Sequence, residues 1–342
     1  MNQPPALLRV HRLKKSFPLR GNWMARGDRR VHAVDDVSLD IRVGETLGLV
    51  GESGCGKSTL ARCIVRLTEP DEGVLEFDGA DITHRSMRQL RPLRREFQLV
   101  FQDPYASLNP RRTVRRILAE AMALHGIGTS KADRTQRAVD LLHRVGLPAQ
   151  FLDRFPRELS GGQCQRVGIA RALAPGPRLI VADEPVSALD VSVQADILNL
   201  LRQLQSDLGL TLLFISHDLG VIRHMSDRIG VMYLGKLVEV GPAEAFYQAP
   251  LHPYSEALLG AVPVPDPALR LARKSRVLEG DVPSPINPPA GCRFHTRCPY
   301  AQPICSSLEP LLMPASAART VACHFPLSAP LALDAELAEE TP

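Results

Sequence analysis

Apolar residues come in short runs at intervals along the first two-thirds of the chain: LGLVG at Leu47–Gly51, QLVFQ at Gln98–Gln102, LIVAD at Leu179–Asp183 and LLFIS at Leu212–Ser216. These β-rich runs predict strands. Between the last two, Val193, Ile197, Leu200, Leu204 and Leu208 recur at helical spacing on one face, which predicts a helix packed on a sheet. Strands alternating with helices predict an α/β fold with a mostly parallel sheet. From about Pro110 to Leu173 strand-like runs are few, and this stretch reads as a helical insertion. After Gly241 the pattern breaks down. Of the 29 prolines, 17 lie from Pro242 onward, predicting an extension with little regular structure. No internal repeat is evident, and the final DAELAEETP reads as a solvated acidic tail.

Bulk properties narrow the picture. The 342 residues, 44% of them hydrophobic, suffice for one large domain with an appendage or two modest domains. The net charge of +4, from 41 basic and 37 acidic residues, gives nucleic-acid binding little support, so no nucleic-acid partner is expected. The opening MNQPPALLRVHRLKK shows no signal-peptide pattern, and no apolar run approaches the ~20 residues of a membrane span. A soluble, cytosolic protein is expected; work at a membrane would need a partner with spanning helices. Of seven cysteines, Cys55, Cys63 and Cys164 are scattered and read as small buried residues, whereas Cys292, Cys298, Cys305 and Cys323 cluster late. In a reducing compartment, clustered thiols point to metal before disulfide.

GESGCGKST, Gly51–Thr59, follows a strand and opens a helical pattern. In that context G-x-x-x-x-G-K-[ST] is a phosphate-binding loop. Its glycines let backbone N–H groups wrap phosphates, Lys57 brings a cation to the β/γ-phosphates, and Ser58 offers a hydroxyl to Mg²⁺. LIVADEP, Leu179–Pro185, ends a strand in two carboxylates. Asp183 is placed to hold Mg²⁺ through water, and Glu184 to take a proton from an attacking water. In LSGGQCQRVGIARAL, Leu159–Leu173, Ser160 is a good N-cap and two glycines expose backbone N–H groups. This is a second helix N-terminus suited to an anion. A protein with one nucleotide needs one such end, so the second is expected to serve a nucleotide held by another subunit.

With these motifs the chain resembles the ATP-binding subunit of an ABC transporter. The matching elements are the Walker A run GESGCGKST, the signature LSGGQ, the Walker B run LIVADE, the D-loop SALD (Ser187–Asp190), the H-loop His217, the Q-loop Gln102 and an A-loop aromatic, Phe17. The resemblance covers roughly Leu7 to Gly241. It implies a RecA-like P-loop ATPase core with an antiparallel β subdomain and a helical subdomain. The expected domains are a nucleotide-binding domain over 7–240 (helical subdomain about 103–175), an extension over 241–330 and a flexible tail over 331–342. Carried over by position, Gly51, Glu52, Ser53, Gly54, Cys55, Gly56, Lys57, Ser58 and Thr59 surround the phosphates of ATP. Ser58, Gln102 and Asp183 attend Mg²⁺, Glu184 is the general base, and His217 holds the γ-phosphate and attacking water. Gln102 also links the core to the helical subdomain, and Ser160, Gly161, Gly162 and Gln163 reach the nucleotide of the opposing subunit. Each position carries the active residue type, so a competent site is expected; Cys164, where a polar residue is common, reads as neutral. Phe17 is either a core anchor or a platform for adenine. The inserted PLRGNWMARGDRRVH reads as a solvated loop, with acidic lipid headgroups the alternative contact.

VFQDPYASLNPR, LHPYSEALLGAVPVPDP and LEGDVPSPINPPAGCRFHTRCP resemble the dipeptide/oligopeptide (and nickel) importer subfamily. This implies an ATPase, at the cytoplasmic face of the inner membrane, that powers peptide import. Its implied partners are a second, related ATPase, two transmembrane permeases and an extracytoplasmic solute-binding protein. Nickel or glutathione import stays open, as does a non-transport regulatory ATPase. The four late cysteines are separated by five, six and seventeen residues, without the tight knuckle usual for structural zinc. Four thiolates suit Zn²⁺ or a [4Fe–4S] cluster, and the subunits this tail resembles carry the cluster. A zinc site including His295 or His324 is the second reading, and free thiols the third. None of the four falls within a nucleotide motif, so the thiol site is expected to lie outside the ATP path and to fold the extension.

Overall fold

The computed structural model describes residues 5–19, 29–261, 280–316 and 318–327. Most of the arginine-rich insertion after Phe17 and the whole acidic tail lie outside them. The strands are β1 (Ala6–Pro18), β2 (Arg30–Arg42), β3 (Thr46–Val50), β4 (Glu72–Phe77), β5 (Ala80–Asp81), β6 (Phe97–Val100), β7 (Leu179–Asp183), β8 (Thr211–Ile215), β9 (Arg228–Tyr233), β10 (Lys236–Pro242), β11 (Met313–Ser316) and β12 (Arg319–Val321). The α-helices are α1 (Lys57–Ile64), α2 (Met87–Leu90), α3 (Pro104–Ser107), α4 (Val114–Leu124), α5 (Lys131–Arg144), α6 (Gly161–Leu173), α7 (Val191–Leu208), α8 (Leu219–Met225), α9 (Ala243–Gln248), α10 (Pro253–Gly260) and, in the extension, α11 (Pro303–Ser307).

Two sheets organise the chain. An antiparallel sheet of order β2-β1-β4-β5 covers one side of a larger sheet of order β11-β12-β10-β9-β3-β8-β7-β6. In the larger sheet β6, β7, β8, β3 and β9 are parallel, and the strands from β10 outward are antiparallel. The central strands are buried throughout, which explains why they read as unbroken apolar runs. Their side chains still alternate. Leu47, Leu49, Leu179, Val181, Leu213 and Ile215 enter a core shared with α1 and the antiparallel sheet. Ile180, Ala182, Leu212 and Phe214 enter the opposite core, under the helices. A slip of one residue would exchange the two sets, so the register is tightly fixed.

Between β6 and β7 the chain is helical, from α3 to α6. In α7, Ile197, Leu200 and Leu204 face the core as their spacing predicts, while Leu208 is 40% exposed at the last turn.

The proline-rich extension is more regular than its composition predicts. Its β12 pairs with β10 (Glu239 opposite Val321), and β11 pairs with β12, so the extension closes the edge of the main sheet. The reason lies in a buried charge. Glu239 on β10 is 1% exposed, and its carboxylate accepts hydrogen bonds from Leu251 N–H, His252 N–H and, at 2.7 Å, the Arg319 guanidinium. Proline counting could not show this, because a three-residue strand gains its place from one ion pair across 80 residues of chain. Removing one member of such a pair strands the other without a partner, which costs about 3–5 kcal/mol. Arg319→Met is therefore expected to lower stability by about 3 kcal/mol and to speed proteolysis after β10; denaturant melts and limited digestion check this.

Candidate nucleotide site

The phosphate-binding loop leaves β3 at Val50 and enters α1 at Lys57. Its glycines are dictated by close backbone approach. At Gly56 (φ 107°) a Cβ would stand 1.8 Å from the Ala33 carbonyl oxygen, and at Gly51 2.1 Å from that of Met232. No side chain caps α1 and its first turn carries no acid, so its leading N–H groups are free for an anion. Lys57 is 5% exposed, and its ammonium donates to the carbonyls of Gly51 (2.7 Å) and Glu52 (3.0 Å) at the mouth of the loop.

Two polar clusters meet at the end of β7. Ser58 Oγ donates to Asp183 Oδ1 at 2.9 Å. Burial pushes the Asp183 carboxyl above its usual range, against the Ser58 hydrogen bond. A buried carboxylate beside a hydroxyl is an oxygen donor set that fits Mg²⁺. One residue on, Glu184 takes a left-handed backbone (φ 48°), with its N–H bonded to Ile215 O at 3.0 Å and its C=O accepting from Ser187 Oγ at 3.1 Å. A non-glycine residue held there is strained, and that strain aims the side chain. Gln102 Nε2 donates to Glu184 Oε2 at 3.0 Å, and His217 Nδ1 lies 3.3 Å from Glu184 Oε1. Each oxygen of the carboxylate thus has its own partner. A cavity of about 790 Å³ opens beside Gln102 and Asp183, with Phe101, Met87, Leu124 and Arg171 among its walls.

The signature turn lies elsewhere. Ser160 caps α6 in a capping box, its Oγ accepting from Gln163 N–H at 3.3 Å while Gln163 Oε1 accepts from Ser160 N–H at 3.0 Å. A Cβ at Gly162 would meet Val193 at 2.5 Å, so this turn rests against the start of α7. Among the described residues, none of Ser160, Gly161, Gly162 and Gln163 hydrogen-bonds to the phosphate loop. Cys164 is fully buried with Sγ 3.3 Å from Pro156 O. Phe17 is 40% exposed on β1 opposite Val31, with Lys15 Nζ 5.5 Å from its ring centre.

The four late cysteines, together with His252, His295 and His324, line one small cavity. All are free thiols; burial pushes Cys292 and Cys298 up, and Cys323 up to about 11. Among the described residues, no three His, Cys, Asp or Glu side chains stand close enough to hold a metal ion as they are.

Residues of the extension also reach the phosphate loop. Arg297, next to Cys298, grips the Glu52 carboxylate with both terminal nitrogens, at 3.0 and 3.1 Å. Tyr254 Oη accepts the Glu52 N–H at 2.9 Å. Sequence reasoning missed Arg297 and Tyr254 because their contacts to Glu52 span 245 and 202 residues.

Comparison with known proteins agrees with this geometry. Residues 34–187 match the family described as ABC transporter, and residues 238–305 the oligopeptide/dipeptide transporter C-terminal region. The chain is similar to the oligopeptide transport ATP-binding protein AppF of Bacillus subtilis strain 168 (52% identity over 93% of this chain and 97% of the relative). It is also similar to OppF of Escherichia coli K12 (48% identity over 90% and 92%). The dimeric post-hydrolysis structure of the ATP-binding cassette MJ0796 with ADP and Pi aligns at a TM-score of 0.62 with 31% identity, covering 69% of this chain and 98% of that one.

Because the folded state raises the Asp183 carboxyl above its unfolded value, its ionised form works against folding. Its favourable contribution is present below the unfolded pKa, about 3.9, and lost as pH rises through the folded value. Asp183→Asn is expected to stabilise the nucleotide-free protein at neutral pH, with the gain vanishing below about pH 4, and to remove the Mg²⁺ dependence of ATP binding. Melts across pH, with and without MgATP, check both signs.

Proposed function

The chain belongs to the ATP-binding subunits of ABC-type oligopeptide/dipeptide transporters, and on that footing we propose how its residues serve an ATPase that powers peptide import. The observation that carries the proposal is the Glu184 carboxylate, held between Gln102 and His217 one residue beyond the Asp183–Ser58 pair.

The loop Gly51–Thr59 wraps the triphosphate with backbone N–H groups, and Lys57 leaves the Gly51 and Glu52 carbonyls for the stronger charge of the β/γ-phosphates. Ser58 and Asp183 would hold Mg²⁺, which would supply positive charge against the phosphate oxygens. Glu184 accepts a proton from water aligned against the γ-phosphate, and His217 holds that water and the phosphate from the other side. Gln102 ties this carboxylate to the cavity before α3, where we place the permease contact. Movement there is felt at Glu184 through one hydrogen bond. Permeases are the partners that likeness to oligopeptide transport ATP-binding proteins supports, and among the described residues no helix is long and apolar enough to cross a membrane. The signature turn completes the site of a second, related ATPase; its rest against α7, with no hydrogen bond to its own phosphate loop among the described residues, supports this reading. A solute-binding protein outside the membrane presents the peptide, and the chain works at the cytoplasmic face.

The thiol cavity is the second element of the proposal. Convergence of Cys292, Cys298, Cys305 and Cys323 on one cavity supports a [4Fe–4S] donor set, with zinc the competing occupant. Cys292, Cys298, Cys305 and Cys323 would hold such a group as thiolates, and it would supply a staple for a segment with little core of its own. Anaerobic preparations are expected to be brown with about four irons per chain; a colourless protein carrying one zinc overturns the cluster.

Glu184→Gln is expected to bind MgATP as wild type does but to turn over ~10²–10⁴-fold more slowly in the assembled transporter. Near-normal turnover would remove Glu184 from the base role. The purified chain alone is expected to hydrolyse ATP poorly, with the rate rising when the partner ATPase and permeases are added.

A further inference from the structure

Glu52 is fastened on three sides. Its N–H donates to Tyr254, its C=O accepts from Lys57, and its carboxylate lies in the two-pronged grip of Arg297. Two of those three holds come from beyond β10. Arg297 is itself fixed: its side chain is 6% exposed, it reaches the Tyr233 hydroxyl at 3.4 Å, and its guanidinium lies 6.0 Å from the Tyr233 ring centre. Tyr233, Tyr254 and Phe294 pack edge to face and tilted, with ring centres 4.6–5.4 Å apart. The turns that place Arg297 are also those that array the thiols. Arg297 N–H bonds to Phe294 O, Cys298 N–H to His295 O, His295 N–H to Cys292 O, and Cys292 N–H to Cys305 O. Gly291 (φ 66°) permits this crossing, because a Cβ there would meet Cys305 O at 2.4 Å. A second strip of the extension, Val282–Pro285, faces Glu52–Cys55 across a cavity of about 240 Å³.

We propose that Arg297 is a positioning residue for ATP binding, and that it transmits the state of the thiol-lined cavity to the phosphate loop. A loop whose donors are backbone N–H groups binds in proportion to how well those groups are pre-arranged. Arg297 supplies that order at Glu52, with Lys57 five residues on. Any change that moves the Cys292–Cys298 turn, such as loss of a bound group or substitution of a thiol, moves Arg297, one residue from Cys298, and slackens the loop. ATP affinity therefore reports the integrity of the thiol site. The inference rests on the ATP-binding assignment and not on which group the thiols hold.

The test is titration of MgATPγS into the purified full-length chain, with a thermal melt beside each titration. Arg297→Ala is expected to weaken binding about 5- to 20-fold, the range of one charge-assisted contact partly passed on to the ligand. Arg297→Lys should recover part of the loss. Cys298→Ser should weaken binding to a similar degree, and the double variant should bind no worse than either single one. Should Cys298→Ser fail to fold, Glu52→Gln, nearly isosteric and still offering an oxygen to Arg297, is expected to reproduce the loss in a protein that still melts cooperatively and to mask the effect of Arg297→Ala. In the assembled transporter Arg297→Ala should raise KM for ATP more than it lowers kcat. Affinity within twofold of wild type for Arg297→Ala overturns the positioning role. Loss in Arg297→Ala but none in a folded Cys298→Ser, or losses that add in the double variant, overturns the transmission. Lys57→Ala serves as the separate control: unchanged affinity there would sink the ATP-loop assignment itself.

Discussion

Leu49 lies beside Ile215 and Ile215 beside Asp183, while Val100 lies beside Ala182, so β3, β8, β7 and β6 run parallel and end nearly level. Everything chemical in the chain depends on that pairing. The phosphate loop follows β3, Gln102 follows β6, Asp183 and Glu184 close β7, and His217 follows β8. Four segments distant in sequence therefore meet along one edge, where open α/β sheets present their ligands. The register is protected by the two cores. Leu213 and Ile215 serve one, Leu212 and Phe214 the other, and a slip would bury neither set correctly.

The edge is also where the sheet pays its electrostatic cost. Asp183 is buried with the Ser58 hydroxyl on its carboxylate and the Lys57 and Arg62 charges nearby, and a second carboxylate follows at once. The chain separates the two by a backbone turn. The left-handed conformation of Glu184 swings its carboxylate toward Gln102 and His217, away from the Ser58 contact. The two acids thereby keep separate partners, Ser58 for Asp183 and Gln102 with His217 for Glu184. The strained backbone is held by the Glu184 N–H bond to Ile215 O and by the Ser187 hydroxyl on its carbonyl.

What the sequence disclosed, and what it hid, divides along the same lines. The phosphate loop, the signature turn and the strand before Asp183 are local. Their glycines, caps and apolar runs stand within a dozen residues, and each had a physical reason that the structure repeats at Gly51, Gly56 and Ser160. Spacing alone could also pick out four cysteines as a group, and they do line one cavity. It could not say where that cavity would land. Arg297 bears no mark that separates it from Arg293 four residues earlier, yet one meets Glu52 and the other Asp35 and the Leu234 carbonyl. Such pairings depend on how β9, β10 and the extension stack, which no window of sequence contains. The short strand β12 was hidden for the same reason: its partner, not its composition, makes it a strand.

Those arginines change what the extension is. Arg293, Arg297 and Arg319 each end on an acid of the preceding fold: Asp35 on β2, Glu52 in the phosphate loop and Glu239 on β10. The acids differ in what they could tolerate alone. Glu52 could turn to solvent and Asp35 keeps Lys236 at 3.6 Å, but Glu239, 1% exposed, has no other cation among its described partners. A nucleotide-binding fold cut after β10 would strip the Glu239 carboxylate of the Leu251, His252 and Arg319 donors and lose the strand that covers its sheet edge. The extension is thus built into the stability of the ATPase at Glu239 and into its phosphate loop at Glu52. The thiol cavity hangs between these two attachments, with His252 beside the Glu239 carboxylate at one end and Arg297 beside Cys298 at the other. A segment with few apolar residues of its own is thus tied at one end to a buried charge, Glu239, and at the other to the phosphate loop at Glu52.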